Sequence, residues 1–485
     1  MTESAGPAKE RHVVVVGGGV TGLTAAYRIH TARPEWRISL LEADARLGGN
    51  IQTLRTGGCV IDGGPDSFVK AKPAAHRLAL ELGLESQLIS TEPSARRVLF
   101  AHAGRLTPMP EGMALGIPTR ALPMLRSPLL SWRGKAQLLM EPFRPARRAR
   151  GEESIHDFLS RRLGEEAASR LAAPLLGGIY AGDPKALSLA ATFPQLSELE
   201  RQHGSLVLGS LAQRASMMRR AEGAPPGRLR SLSNLVRASR MAPHSPFVSF
   251  RDGMSTLVYS LADRLPTGAV RRGAAVRRLT AEGARWRVAH AGGELTADAV
   301  VLACPARAAA EALAEPGVSS LLMGIDYLST ATVFFSFDRS EVAHPLDSTG
   351  FIAPEGEGEL LAATFVDSKW AGRAPSGQVL IRGFLGGARG GERLASRSDA
   401  ELGRVVLGEL RRLMGPLGEP RGSWVFRFAG KNPQPHLGHS ERVAAVRRLS
   451  PPGVWLAGAA YDGVGIPDCV AQAERAAREL LAYLG

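Results

Sequence analysis

The sequence predicts an α/β fold: a parallel-sheet domain assembled from discontinuous segments, with a β-rich domain and a helical domain inserted. Three observations predict it. The chain opens on a strand–glycine–helix–strand pattern. It closes on another apolar strand, a glycine turn and a long helix. Between them lie a Pro-punctuated helical block and a β-rich block. Its 485 residues are enough for two or three domains with a substantial core.

Residues 12–16 form a short apolar, β-branched run, the pattern of a buried parallel strand. Gly17-Gly18-Gly19-Val20-Thr21-Gly22 follows at once and fits G-x-G-x-x-G. Gly17 permits the tight turn, Gly19 lets the backbone approach a pyrophosphate, and Gly22 lets helix and strand pack closely. The helix over 21–30 then aims free N–H groups and a partial positive charge at phosphates. The next strand, 38–41, ends at Glu42, where a carboxylate accepts hydrogen bonds from ribose hydroxyls. Arg46-Leu47-Gly48-Gly49-Asn50 makes a second phosphate-friendly turn, with Arg46 available to a phosphate. Residues 51–61 read as a hairpin around Gly57-Gly58, and Asp62-Gly63-Gly64-Pro65-Asp66-Ser67 is a third glycine turn. Three such turns in close succession suit a long dinucleotide better than a structural accident.

Lys70 and Lys72 precede a helix over 74–82. They are either solvated surface lysines or partners for a carboxylate substrate. Residues 96–199 read as helical. Within them, 120–150 carries eight basic side chains and one acid, Glu141, with Leu122, Trp132, Leu139, Met140 and Phe143 interleaved. That pattern is a plain helical core with a solvated basic loop, or a face for peripheral membrane contact. Gly178-Ile179-Tyr180-Ala181-Gly182 reads as a glycine-flanked aromatic loop or as a helix C-cap and turn. Residues 221–244 are Ala/Pro/Arg/Ser-rich and read as a surface excursion.

The parallel-sheet domain resumes at Asp252-Gly253, with a helix over 257–265 and strands at 274–279, 286–289 and 299–303. Strands follow at 332–337, 350–352, 360–365 and 379–385, then a helix over 401–414. His436 and His439 are three apart. With no acidic or thiol partner nearby they read as hydrogen-bonded histidines, and no metal is expected. The last strand, 454–456, leads through Gly458 to Gly463-Val464-Gly465-Ile466-Pro467-Asp468, where Pro467 starts the final helix.

Composition excludes several classes. No stretch reaches the ~20 apolar residues of a membrane span. Residues 1–10 lack the apolar core of a signal peptide, so a cytoplasmic protein is expected. Cys59, Cys304 and Cys469 form no C-x-x-C, which argues against a disulfide framework or structural zinc. The net charge of +14 comes almost wholly from arginine and has no nucleic-acid-binding signature beside it. It favours anionic small partners.

Glu42 with Arg46-x-Gly48-Gly49, the turn 64–67, Gly178-Ile179-Tyr180-Ala181-Gly182-Asp183 and Gly463-Val464-Gly465-Ile466-Pro467-Asp468-Cys469 together resemble the porphyrinogen oxidases of haem synthesis. These belong to the flavin superfamily that also holds amine oxidases and phytoene desaturases. Met109-Pro110-Glu111-Gly112 and Gly116-Ile117-Pro118-Thr119 look most like the soluble Gram-positive-type branch, associated with coproporphyrinogen III. The resemblance implies a glutathione-reductase-like, Rossmann-type FAD domain over 1–75, 240–305 and 425–485. It implies a substrate domain over 76–95, 196–239 and 306–424, and a helical domain over 96–195.

It further implies non-covalent FAD held by Gly17, Gly18, Gly19, Thr21, Gly22, Glu42, Arg46, Gly48, Gly49, Asn50, Gly64, Pro65, Asp66, Ser67, Val276, Gly458, Val464, Gly465, Ile466, Pro467 and Asp468. Lys72, Ile179 and Phe384 become substrate-binding positions, with a buried core role the alternative for Phe384. The implied reaction is O2-dependent, six-electron oxidation of coproporphyrinogen III to coproporphyrin III. Protoporphyrinogen IX is the alternative substrate. Another flavin amine oxidase or desaturase, and a non-catalytic porphyrin carrier, are more distant ones. No protein acid or base is expected, because flavin carries the redox chemistry. Peripheral contact with the inner face of the cell membrane and transient contact with the next haem-pathway enzyme complete the implied partners.

Overall fold

The computed structural model describes residues 11–93, 97–114, 116–147, 151–221 and 246–485. The polar lead 1–10 and all but the first residue of the excursion at 221–244 lie outside the described residues. The chain divides into two compact units. One comprises Met1–Ser90, Pro246–Asp326 and Glu441–Gly485, the other Thr91–Ser245 and Tyr327–Ser440.

The first unit is built on a five-stranded parallel sheet. Its order is Val270–Arg271, Arg37–Leu41 (β2), His12–Val16 (β1), Ala299–Leu302 and Val454–Leu456. All five residues of β1 are buried, which is why it carries valine at every inner position and no alternation. Between β1 and β2 runs the helix Val20–Ala32 (α1). It packs beside the C-terminal helix Ile466–Leu484, whose buried stripe is Val470, Ala473, Ala476, Ala477, Leu480 and Leu484. Alanines in that stripe let the two helices approach closely. Strand order reverses at β1, since β2 lies on one side and the much later Ala299–Leu302 on the other. A crevice outside the carboxyl ends of strands at such a point is where open α/β sheets bind ligands. The strand expected at 274–279 is instead Val276–Glu282, because the Ala274 N–H is engaged by the Glu42 carbonyl at 2.7 Å.

The second unit holds a seven-stranded sheet in the order Gly422–Gln434, Asp326–Asp338, Gln378–Gly386, Ala362–Phe365, Gly350–Ile352, Leu99–His102 and Arg105–Pro108. The helix Asp399–Met414 contributes Leu402, Val406 and Leu410 to a core shared with Phe335 and Phe337. The helical reading from residue 96 is corrected here. Leu99-Phe100-Ala101 is a buried apolar run that pairs with Phe351 and Ile352, and the tight turn at Ala103-Gly104, with φ of 51° and 72°, folds it into a hairpin. Helices begin only at Ala121–Arg126.

Within the helical part, Arg162 and Glu141 are fully buried and paired. Arg162 also donates to the carbonyls of Arg144 and Gly204 at 2.9 Å. The Glu141 carboxylate accepts from Ser205 Oγ at 2.6 Å and from the Leu206 N–H at 2.8 Å, so it caps the helix Leu206–Ala221.

Candidate active site

The glycine turn after β1 has no room for side chains where the motif requires glycine. Gly17 has φ +107°, and a Cβ there would lie 2.5 Å from the Ala303 carbonyl oxygen. A Cβ on Gly22 would lie 1.9 Å from the Gly17 carbonyl oxygen. Gly19 differs: nothing in the protein comes within 4 Å of the place a Cβ would occupy. It is the N-cap of α1, with no side-chain cap and no acidic residue in the first turn. Gly19 also pairs with Gly48 in an isolated parallel bridge, so the second turn borders the start of α1 while the Cβ side of Gly19 stays clear for close backbone approach.

The second glycine turn closes onto the first. The Gly48 N–H donates to the Gly18 carbonyl at 2.8 Å, and Gly48 and Gly49 have φ of +104° and +58°. Arg46 is exposed and is tied to its own turn. Its guanidinium donates to the carbonyls of Gly49 at 2.5 Å and Leu47 at 3.2 Å, so it clamps the turn that contains it, including Asn50. Glu42 ends β2 beneath both turns and accepts from the Gly18 N–H at 2.5 Å and the Asp44 N–H at 2.8 Å. A carboxylate has about four acceptor sites, so capacity remains for ribose hydroxyls. Val276 follows shortly after Ala274, which is tied to the Glu42 backbone, and so lies at the same end.

The third turn joins through Gly63, whose N–H donates to the Gln52 carbonyl at 2.9 Å. Past Gly64 and Pro65, the Asp66 carbonyl accepts from Ser249 Oγ, and its carboxylate from Ser67 Oγ at 2.8 Å. The C-terminal turn completes the crevice. A Cβ on Gly458 would lie 4.0 Å from Thr21 Oγ1 on α1, so this turn abuts the first. The final helix starts at Ile466 with Gly465 as its uncapped N-cap and Pro467 in its first turn. Asp468 sits against Gly463 and Gly465, flanking Val464, and its carboxylate takes Lys72 Nζ at 2.8 Å on both oxygens. Lys72, expected at a substrate carboxylate, is thus engaged by a residue of the cofactor motif.

Burial pushes the Cys469 thiol up to about 11, although a hydrogen bond from Thr21 pulls the other way. Burial pushes Cys304 up to about 12. Both stay protonated and poorly nucleophilic at neutral pH.

Ile179 and Phe384 belong to the second unit. Residues 178–180 complete the helix Ala173–Tyr180, which ends on Ala181 in the left-handed region at φ 49°. The C-cap reading of this motif therefore holds for its last residues, and its first three are helical rather than loop. Pro174 starts that helix, and Gly177 lets it pack on Pro184. Ile179 is 59% exposed, unusual for an isoleucine. The Ala181 carbonyl accepts from the Ala388 N–H at 2.8 Å, just past the strand that carries Phe384. Phe384 is half-buried, with the Arg382 guanidinium 4.2 Å from its ring centroid.

Sequence reasoning missed Gln472, a buried amide on the C-terminal helix that bonds the glycine turn. The visible signal is a glutamine among Cys469, Ala473 and Ala476 on an otherwise apolar face. Among the described residues no group of three or more His, Cys, Asp and Glu side chains has the proximity to hold a metal ion. No helix there is long and apolar enough to cross a membrane.

A glycine-lined cradle at two helix N-termini that lack side-chain caps, with a carboxylate at one end, fits a dinucleotide, and the family to which the chain belongs makes the protein an FAD-dependent oxidoreductase. The chain belongs to the flavin-containing amine oxidoreductase family, whose model matches residues 20–481. It is 35% identical to the coproporphyrinogen III oxidase of Bacillus subtilis (strain 168), over 98% of this chain and 99% of that one. It is 36% identical to the coproporphyrinogen III oxidase of Propionibacterium freudenreichii, over 99% of this chain and 93% of that one. A crystal structure from Exiguobacterium sp. 255-15 superposes with a TM-score of 0.84 at 31% identity, covering 99% of this chain and 100% of that one.

Proposed function

We propose that the protein oxidises coproporphyrinogen III to coproporphyrin III, with O2 as the final acceptor. The observation that carries this reading is the likeness, along nearly the whole chain, to two enzymes named for that substrate. The ring loses six electrons and six protons, and three O2 become three H2O2. Bound FAD supplies the two-electron chemistry. The first N–H groups of α1 and the Gly19 backbone hold the pyrophosphate, and Glu42 accepts from ribose. The N-terminus of the final helix favours negative charge at the other end of the cofactor. The cofactor is held without a covalent bond on this reading. Ile179, exposed at the end of its helix, and half-buried Phe384 supply apolar surface for a macrocycle.

Anaerobic stopped-flow mixing tests the substrate. Coproporphyrinogen III bleaches the flavin at least tenfold faster than protoporphyrinogen IX. The reverse order assigns the protein to protoporphyrinogen, and no bleaching of loaded flavin by either sinks the porphyrinogen reading.

We further assign the cytoplasm as the site of action, with peripheral contact to an anionic membrane. Trp132 and Phe143 are 75% and 78% exposed, and Leu122, Leu139 and Met140 are exposed with them. Arg126 and Arg133 are exposed on the same segment, which supplies charge for anionic head groups. Full burial of one such aromatic is worth about 1.5–3 kcal/mol. The Trp132→Ser, Phe143→Ser double variant therefore partitions at least tenfold less onto phosphatidylglycerol-containing vesicles in sedimentation. Wild-type protein that ignores these vesicles at low salt overturns the assignment.

A further inference from the structure

We propose that Gln472 is a positioning residue for FAD: its side-chain amide sets the shape of the 458–463 turn against the cofactor. The inference rests on the reading of residues 458–468 as part of the FAD site.

Gln472 is 2% exposed and lies on the C-terminal helix, facing the core with Cys469 and Ala473. Its Oε1 accepts from the Gly458 N–H at 3.3 Å and from the Asp462 N–H at 3.4 Å. Its Nε2 donates to the Gly463 carbonyl at 3.4 Å. One amide thus reaches both ends of the turn and satisfies donors and an acceptor together. Gly458 and Gly463 have φ of +140° and +112°, so no regular ladder organises this backbone. The outer side of the turn is fixed separately. Asp462 is paired with both Arg447 and Arg475, and although burial raises its carboxyl, the two arginines hold it below the usual carboxylate range.

Removing the amide leaves the buried Gly458 N–H without its partner, which costs more than the bond itself contributes, and frees the Asp462 and Gly463 end of the turn, where the bonds are part-buried. The turn relieves that cost by moving, and it moves at the place where it abuts Thr21 of α1. A displacement there alters the cradle at two helix N-termini at once. A glutamine that only stabilised its helix would have no reason to face these three backbone groups.

The test uses the full chain. FAD dissociation constants are measured by flavin fluorescence quenching from pH 5.5 to 8.5, with thermal midpoints recorded separately. Gln472→Leu binds FAD at least tenfold more weakly and changes the envelope of the visible flavin spectrum. Gln472→Glu keeps both acceptors but loses the donor while ionised. Its protonated carboxyl restores donation to Gly463, so its FAD affinity climbs towards wild type as pH falls. The charged groups around the turn are Asp462 with Arg447 and Arg475, and Asp468 with Lys72. They are common to the wild type, which serves as the pH control. A purely structural role would move thermal midpoints without this acid recovery of affinity.

Gly465→Ala places a Cβ 2.9 Å from Asp468 Oδ2 and perturbs the same site directly. If it weakens FAD while both Gln472 variants stay within twofold of wild type, the role of Gln472 is overturned and the site stands. If none of the three changes FAD affinity, the assignment of the turn to the cofactor fails. Should Gln472→Leu not fold, the pH series of Gln472→Glu decides.

Discussion

Gly22→Ala and Gly19→Ala both lose FAD, but only Gly22→Ala loses stability. The two glycines sit in one turn and do different work. A Cβ on Gly22 lands 1.9 Å from the Gly17 carbonyl oxygen and 3.3 Å from Ala303 Cβ. The obstacle is backbone at the seam of α1 and β1, so it cannot swing aside as a flexible side chain would. Overpacking of a tight core costs about 1–3 kcal/mol, and this site belongs at the upper end. Gly19 has φ −75° and ψ 176°, which alanine adopts without strain, and its Cβ meets no protein atom within 4 Å. Alanine there leaves stability level or raises it by about 0.4–1 kcal/mol through the unfolded chain. Yet its methyl occupies the approach to the first N–H groups of α1. Calorimetry and FAD titration separate the two effects. Gly22→Ala melts lower and loads little flavin, whereas Gly19→Ala melts as wild type and binds FAD at least tenfold more weakly. A Gly19→Ala protein with wild-type affinity would show that this turn is not the pyrophosphate cradle.

That contrast shows what a linear sequence makes legible. Gly17, Gly48 and Gly463 could be read because a positive φ is a local demand that glycine meets without strain, and Gly22 because its obstacle is the Gly17 carbonyl five residues back. The inner strands of the parallel sheet were legible for a similar reason, since a strand buried on both faces must be apolar throughout; the half-buried edge strand Val270–Arg271 was not. The roles that escaped reading depend on partners far along the chain. Arg46 reads as a phosphate partner in isolation, and only the folded turn shows that its guanidinium also ties the Gly49 and Leu47 carbonyls. Lys72 reads as a free ammonium until the C-terminal helix delivers Asp468. The strand Leu99–His102 was taken for helix because its apolar run is too short to display a period, and its identity is fixed by pairing with Phe351 and Ile352.

Glu141 is the extreme case, and the variant Glu141→Ala is expected to unfold the helical part of the second unit while the first retains its flavin. In sequence it is the one acid in a basic stretch, with nothing beside it to mark it as buried. In the fold it is fully buried against Arg162, with Ser205 and the N-terminus of Leu206–Ala221 as its other partners. Its removal strands a guanidinium that is itself 0% exposed, leaving only carbonyl oxygens and Glu200, whose nearer oxygen is 3.4 Å away. Breaking one side of a buried ion pair costs about 3–5 kcal/mol, because the remaining charge has no solvent to replace its partner. The Leu206 and Val207 N–H groups also lose their acceptor, although Ser205 Oγ still caps Leu208 at 3.1 Å. The double variant Glu141→Met, Arg162→Met removes both charges and recovers much of the loss, since similar apolar volume in place of a buried pair is often neutral. Far-UV circular dichroism reports the helices, flavin absorbance reports the first unit, and porphyrinogen bleaching reports the second. Glu141→Ala keeps absorbance and loses bleaching, and the double variant regains helix content. Equal loss of flavin and helix in Glu141→Ala would mean that the two units do not lose structure separately.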